Sequence, residues 1–305
     1  MVVKELDDPD AFLEAARPLL LEDEARNNLI LGIAGILRDD PSTYSEYRLW
    51  LVEDGGRIAG AALQTPPFNL VVALPSTQEA ITLADWLHAD GVDIPGVTGA
   101  VPDVDTFARA WENRSEVRRR QRMAQRIYCL TKLRPVEGVH GRAREATERD
   151  RSLLLAWVTA FGDEATAEGA PGREADRVVD QRLSARAGGF TIWEDAEPVS
   201  AAGWGGMTPN GVRIGPVYTP PEHRRRGYGS AVTAAASAGR LAAGRTFCFL
   251  YTDLANPTSN KIYTDIGYEP VCDSIDYAFE PGQPTDLRKS SKSAAKVAGR
   301  SIGGR

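Results

Sequence analysis

Apolar and small residues along this chain recur in short runs bounded by Gly, Pro, Asn and Asp. Such runs read as β-strands. Residues 51–63 (Leu-Val-Glu-Asp-Gly-Gly-Arg-Ile-Ala-Gly-Ala-Ala-Leu) form one apolar run, a polar turn and a small-residue run, the pattern of a β-hairpin. Residues 192–204 (Ile-Trp-Glu-Asp-Ala-Glu-Pro-Val-Ser-Ala-Ala-Gly-Trp) align on them without a gap, at an offset of 141 residues. Each hairpin is followed by a Pro/Asn loop (65–69 and 207–210) and a further strand (70–74 and 212–219). Each is preceded by a short strand (2–6 and 142–146) and a helix beginning near Asp8 or Glu148. Each copy ends in a terminal strand, 125–132 and 273–279. The alternation predicts mixed α/β architecture, and an offset this long is a domain duplication.

The Pro/Gly segment 134–141 separates the copies, giving domains at 1–133 and 142–280. Residues 281–305 are rich in Ser, Gly, Lys and Arg and are expected to form a disordered basic tail. The composition is that of an ordinary globular protein, 42% hydrophobic and 26% charged. A net charge of −6 argues against nucleic-acid binding through bulk charge. Three cysteines, Cys129, Cys248 and Cys272, without CxxC spacing suit a reducing compartment. No apolar run reaches the roughly 18 residues that span a bilayer, and the first residues lack a signal-peptide core. A cytoplasmic protein without membrane partner, monomer or homodimer, is expected. His88, His140 and His223 are scattered, and no cluster has metal-ligand spacing.

The richest chemistry lies after the strand 214–219. Arg224-Arg225-Arg226-Gly227-Tyr228-Gly229-Ser230 opens an Ala-rich helix. A glycine turn at a helix N-terminus aims backbone N–H groups and the positive dipole end at an anion. A phosphorylated ligand is expected there, with arginines at the rim. No Gly-Lys-Ser/Thr follows, so the turn is not a P-loop. On spacing alone, Tyr263 is a packing aromatic on its helix face.

The segment from Gly215 to Gly267 resembles the GNAT superfamily of acyl-CoA-dependent N-acetyltransferases. Arg224-x-x-Gly227-x-Gly229 matches that family's pyrophosphate signature. The segment Asn256-Pro-Thr-Ser-Asn-Lys-Ile-Tyr263-Thr-Asp-Ile-Gly267-Tyr268 matches its Asn-to-Tyr segment at each marked position. The likeness covers about residues 141–279 and implies a tandem form with fourth and fifth strands splayed in the second domain. It implies acetyl-CoA as cosubstrate and an amine as acceptor. Val217, Tyr218 and Thr219 would line the pantetheine arm by strand-like pairing, and residues 224–230 would hold the pyrophosphate. Asn256 would bond the pantetheine or cap its helix. Tyr263 would protonate the leaving thiolate as general acid.

The general base does not carry over. The position of the histone-acetylating branch's Glu holds Arg213, leaving Asp163, Glu164, Glu194 and Asp253 as candidates. In the first copy, Leu74-Pro-Ser-Thr-Gln-Glu-Ala-Ile-Thr82 replaces the cradle without a glycine pair, and Glu79 would repel phosphate. That copy is expected to be structural, with Trp50, Trp86 and Trp111 in its core. A mycothiol synthase-like enzyme and a non-catalytic acyl-CoA sensor are the alternatives.

Overall fold

The computed structural model describes residues 1–165, 172–184 and 188–282. The expected basic tail lies outside these residues from 283 onward. The chain folds around one twelve-stranded mixed sheet. In the first half, β1 (Val2–Leu6), β2 (Arg48–Asp54), β3 (Arg57–Gln64), β4 (Leu70–Ala73) and β5 (Gly96–Ala100) lie side by side in that order. The second half repeats this from the opposite edge with β7 (Arg142–Glu145), β8 (Gly188–Asp195), β9 (Glu197–Gly205), β10 (Gly211–Tyr218) and β11 (Phe247–Asp253). The repeat extends to a detail: the β2–β3 ladder bulges at Val52/Glu53 and the β8–β9 ladder at Trp193/Glu194, positions that coincide in the sequence alignment.

The two final strands cross over. β6 (Val117–Leu130) pairs with β11 of the other half, and β12 (Glu269–Pro281) pairs with β5. They also pair antiparallel with each other from Val117↔Pro281 to Cys129↔Glu269. Charge supports this register, because β6 is arginine-rich and β12 acidic. Arg126 donates to both carboxylate oxygens of Asp273 (2.6 and 3.2 Å), and Arg120 meets Glu280 at 2.5 Å. Opposite charges facing across strands favour pairing modestly.

Helices cover both faces. In the first half, α1 (Pro9–Leu20) and α2 (Asn28–Asp39) bury Phe12, Leu20 and Leu37 against Leu49 and Leu63. On the other face, α3 (Thr77–Ala89) and α4 (Asp103–Glu112) bury Leu83, Phe107 and Trp111 against Trp50, with Trp86 packed at the margin. In the second half, α5 (Arg151–Ala165) and α6 (Gly172–Leu183) bury Leu154 and Val179 on Phe190 and Ile192. α7 (Tyr228–Ala242) and α8 (Pro257–Asp265) cover Val212, Ile214 and Leu250 opposite. Helix starts are set locally: Asp8 accepts from Asp10 N at 3.0 Å, and Thr147 with Asp150 forms a capping box before α5.

The halves are bolted together by Glu24, between α1 and α2. Its carboxylate accepts from Asn210 N and Nδ2 (both 2.7 Å) and Gly211 N (3.2 Å).

Candidate active site

β10 and β11 run parallel and pair only from Gly211↔Phe247 to Arg213↔Phe249. Beyond Arg213 the two strands part, while β11 stays paired with β6 as far as Asp253. A bulge between Ile214 and Val217 breaks the β9–β10 ladder at the same level. Gly215 sits there at φ +135°, a backbone state that other residues rarely adopt. The result is an open edge along residues 214–218 that faces the gap towards β11. Val217 pairs with Ala202 on the closed side. Thr219 follows, its hydroxyl 2.8 Å from Ser200 Oγ.

The chain then turns into α7. Arg225 takes φ +63° and Gly227 φ +82°, so the backbone winds left-handed twice before the helix starts. No side chain caps α7. Among the described residues, no acceptor takes the backbone N–H groups of Arg225 to Ser230. Unspent donors at a helix N-terminus are the groups from which an anion site can be built. A Cβ on Gly227 would lie 2.8 Å from Val139 Cγ2, so the segment between the halves packs beneath the turn.

The arginines of this turn divide. Arg225 and Arg226 are exposed at the rim. Arg224 turns back: Nε donates to Thr219 O at 2.8 Å, and Nη2 lies 2.8 and 2.7 Å from the Glu164 oxygens. Its guanidinium also stacks 5.7 Å above Tyr218, whose hydroxyl donates to Glu164 at 3.2 Å. Tyr228 is buried and its hydroxyl bonds Asp195. These two tyrosines and Arg224 thus shape the turn through side chains aimed at protein. Gly229 and Ser230 contribute backbone in the first turn of α7.

Asn256 caps α8, its Oδ1 accepting from Ser259 N at 3.1 Å. About two turns on, Tyr263 is half-buried against the α7–α8 core, its ring edge-on to Tyr268 at 6.0 Å. Burial pushes its hydroxyl up to about 12, so the phenol stays protonated at neutral pH. Among the described residues no hydrogen bond acts on that hydroxyl, and burial alone accounts for its shift.

The carboxylates considered as base are spread apart. Glu164 is engaged by Arg224, Glu194 by Arg144 at 2.7 Å, and Asp253 caps Ala255 N at 2.8 Å. Asp163 is exposed at the end of α5. His223 lies 3.8 Å from Glu197, and no group of three metal-ligating side chains occurs among the described residues.

Residues 192–275 match the family model of FR47-like proteins. Solved structures superpose over nearly the whole chain. A tandem GNAT protein from the clavulanic acid biosynthesis pathway covers 93% of this chain and 99% of its own, at TM-score 0.59 and 15% identity. A GNAT-family acetyltransferase from Colwellia psychrerythraea covers 92% and 100%, at 0.57 and 12%. A GCN5-related N-acetyltransferase from Sphaerobacter thermophilus covers 92% and 96%, at 0.59 and 14%. No curated protein matches the chain. The chain has a tandem GNAT fold.

Within this tandem GNAT fold the first half also parts its central strands: β4 and β5 pair only from Leu70↔Val97 to Val72↔Gly99. Here the gap is filled from inside. Asp103, 4% exposed, accepts from Leu74 N at 3.1 Å and pairs with Arg26 at 2.6 Å. Arg26 also donates to Val101 O at 3.2 Å. The N–H beside the gap is therefore spent. Glu79 is buried and bonds Ser76. Sequence reasoning gave Arg26 and Asp103 no role, because nothing local distinguishes them from a surface pair.

Proposed function

We propose that this chain transfers an acetyl group from acetyl-CoA to an amine, in the gap between β10 and β11. The catalytic unit is residues 142–280 completed by β6, which forms one wall of that gap. The observation that carries this reading is the coincidence of an open strand edge, an unspent N–H cradle at its end and a protonated tyrosine across from it. The edge at 214–218 suits an amide-rich pantetheine arm, which pairs as an added strand. The N–H groups of residues 225–230 suit its pyrophosphate, with Arg225 and Arg226 at the rim.

A neutral amine attacks the acetyl carbonyl, the C–N bond forms and the C–S bond breaks. Backbone donors along β10 stabilise the oxyanion. Tyr263 gives its proton to the departing sulfur, and the amine's proton leaves to water, since Glu164 and Glu194 are already ion-paired. No nucleophile on the protein is needed. The three free thiols suit a reducing cytoplasm.

The test is acetyl-CoA binding by calorimetry, with CoA release measured across a panel of primary amines. Binding that Gly227→Asp abolishes, together with release for some amines, supports the proposal. Binding unaltered by Gly227→Asp refutes the cradle. Binding without turnover for any amine favours a non-catalytic acyl-CoA sensor.

A further inference from the structure

The α5–α6 face of the sheet carries two guanidiniums beside the strand gap, and neither meets a carboxylate among the described residues. Arg182, on α6, donates through Nη1 to the carbonyl of Gly215, 2.7 Å away, at the point where β10 leaves β11. It lies flat across Gly203: a Cβ there would stand 1.8 Å from the same nitrogen. Its other face covers the Phe190 ring at 5.2 Å. Arg213 is the last β10 residue paired with β11, and it lies against Gly206, whose missing Cβ would be 3.5 Å from Nε. Gly203 thus makes room for Arg182, and Arg213 packs in ordinary contact with Gly206 on the same side of the sheet.

Like charges this close, half-buried and without a counter-ion, are costly to hold. Burial and the Arg213 charge push Arg182 down to about 9, so it remains a cation at neutral pH. Among the described residues no carboxylate comes within ion-pair distance of either guanidinium. The nearby acids are engaged elsewhere: Asp180 with Arg151, Asp39 with Arg38, and Glu24 with Asn210 and Gly211. Gly206, against which Arg213 lies, is also part of the wall of a cleft of about 990 Å³ between α2, α6 and the β9–β10 loop, whose lining includes Gln181 and Ser184 of α6 together with Asp39, Asp40 and Asp180.

We infer that the acceptor amine carries a carboxylate, which Arg182 and Arg213 hold while its amino group faces the gap. The inference rests on the acetyl-transfer reading above. It names amino acids and their short derivatives as the substrate class. A guanidinium donates two parallel N–H bonds to a carboxylate, and a charge-assisted pair of this kind in a half-buried site changes affinity about ten- to a hundredfold. Arg182, already bonded to Gly215 O, positions the acid next to the open edge. Arg213, with no partner among the described residues, supplies the free fork.

The experiment compares matched acceptors that differ only in the carboxylate: phenylalanine with phenethylamine, alanine with ethylamine, valine with isobutylamine. The carboxylated member should show kcat/KM at least tenfold higher for the α-carboxylate pairs. Arg213→Gln should collapse that ratio through KM, and Arg213→Lys should restore part of it. Equal or better turnover of the decarboxylated amines overturns the inference while leaving acetyl transfer intact. If no amine turns over, acetyl transfer itself fails. The carboxylate site is then judged by titrating N-acetylphenylalanine into the wild type and Arg213→Gln in the presence of CoA. Tighter binding to wild type by tenfold sustains it, and equal binding overturns it. Arg182→Gln is the second variant, with circular dichroism to confirm folding, because its packing on Phe190 also contributes to stability.

Discussion

Replacing Tyr263 with Phe removes one hydroxyl from a site where that hydroxyl bonds nothing among the described residues. Its neighbour Tyr268 is the opposite case. Ser237 Oγ gives its proton to Thr233 O at 2.7 Å, so the buried Tyr268 hydroxyl donates to Ser237 Oγ at 2.8 Å. The two rings stand 6.0 Å apart in one cluster, so the pair of variants separates chemistry from packing. Tyr263→Phe should change unfolding free energy by less than about 0.5 kcal/mol, because no bond is lost. Tyr268→Phe should lose about 1–3 kcal/mol, since a buried acceptor is left without its donor. The order reverses in catalysis. Loss of a general acid lowers kcat by about 10²–10⁴, equivalent to about 3–5 kcal/mol of barrier. Tyr263→Phe should show this loss, and Tyr268→Phe should stay within a few-fold of wild type. The assays are CoA release with thiol detection and urea denaturation followed by circular dichroism. Tyr263→Phe turning over within threefold of wild type refutes the general-acid role. A large stability loss in Tyr263→Phe would show that its hydroxyl is structural.

Gly227→Ala forces a side chain into φ +82° and against Val139 Cγ2 at 2.8 Å. It should cost about 1–2 kcal/mol of stability and weaken acetyl-CoA binding at least tenfold, measured by calorimetry. Arg26→Met leaves Asp103 buried without its cation and should destabilise by about 3–5 kcal/mol in urea titrations, while Arg26→Met with Asp103→Leu should lose much less. Glu24 is burdened by burial, yet bonds from Thr208, Asn210 and Gly211 hold its carboxyl below the usual value of 4.5. Its contribution is therefore full above pH 4.5 and is lost as pH falls through the lower folded value. The stability gap between wild type and Glu24→Gln should be constant above pH 4.5 and close below it, as read from thermal melts.

The repeat was legible because each hairpin carries its own period-two pattern and turn, which neighbours in sequence impose on each other. The shared bulges at Val52/Glu53 and Trp193/Glu194 confirm how far that local likeness reaches. The splay was expected from the resemblance alone, whereas the Asn256 cap was legible locally, as an Asn before the Pro that opens a helix. The strand exchange was not. β6 and β12 each fit the pattern of a terminal strand, and period-two alternation does not say which neighbour a strand pairs with. The arginines of β6 opposite Asp273 and Glu280 acquire meaning only once the two strands are set side by side. Arg224 was legible as a cation, but its direction was not, because Glu164 lies sixty positions away. Arg182 escaped altogether, since its setting depends on Gly203 in another element.

The two gaps show how one architecture yields an open site and a closed one. In both halves the central strands part after three paired residues. A parted strand leaves donors that water, protein or ligand must satisfy. In the first half the donor at Leu74 is taken by Asp103, and the carboxylate is neutralised by Arg26, so the gap is self-sufficient and needs nothing. In the second half, among the described residues, the donors of residues 225–230 have no acceptor and the cations on the neighbouring face have no acid. The first half is then more than a relic. Its β6 is the strand on which β11 is laid, and Glu24 ties the β9–β10 loop to it. The closed copy supplies the wall beside which the open copy keeps polar groups without partners among the described residues, and the exchange of β6 and β12 makes that support inseparable from the fold.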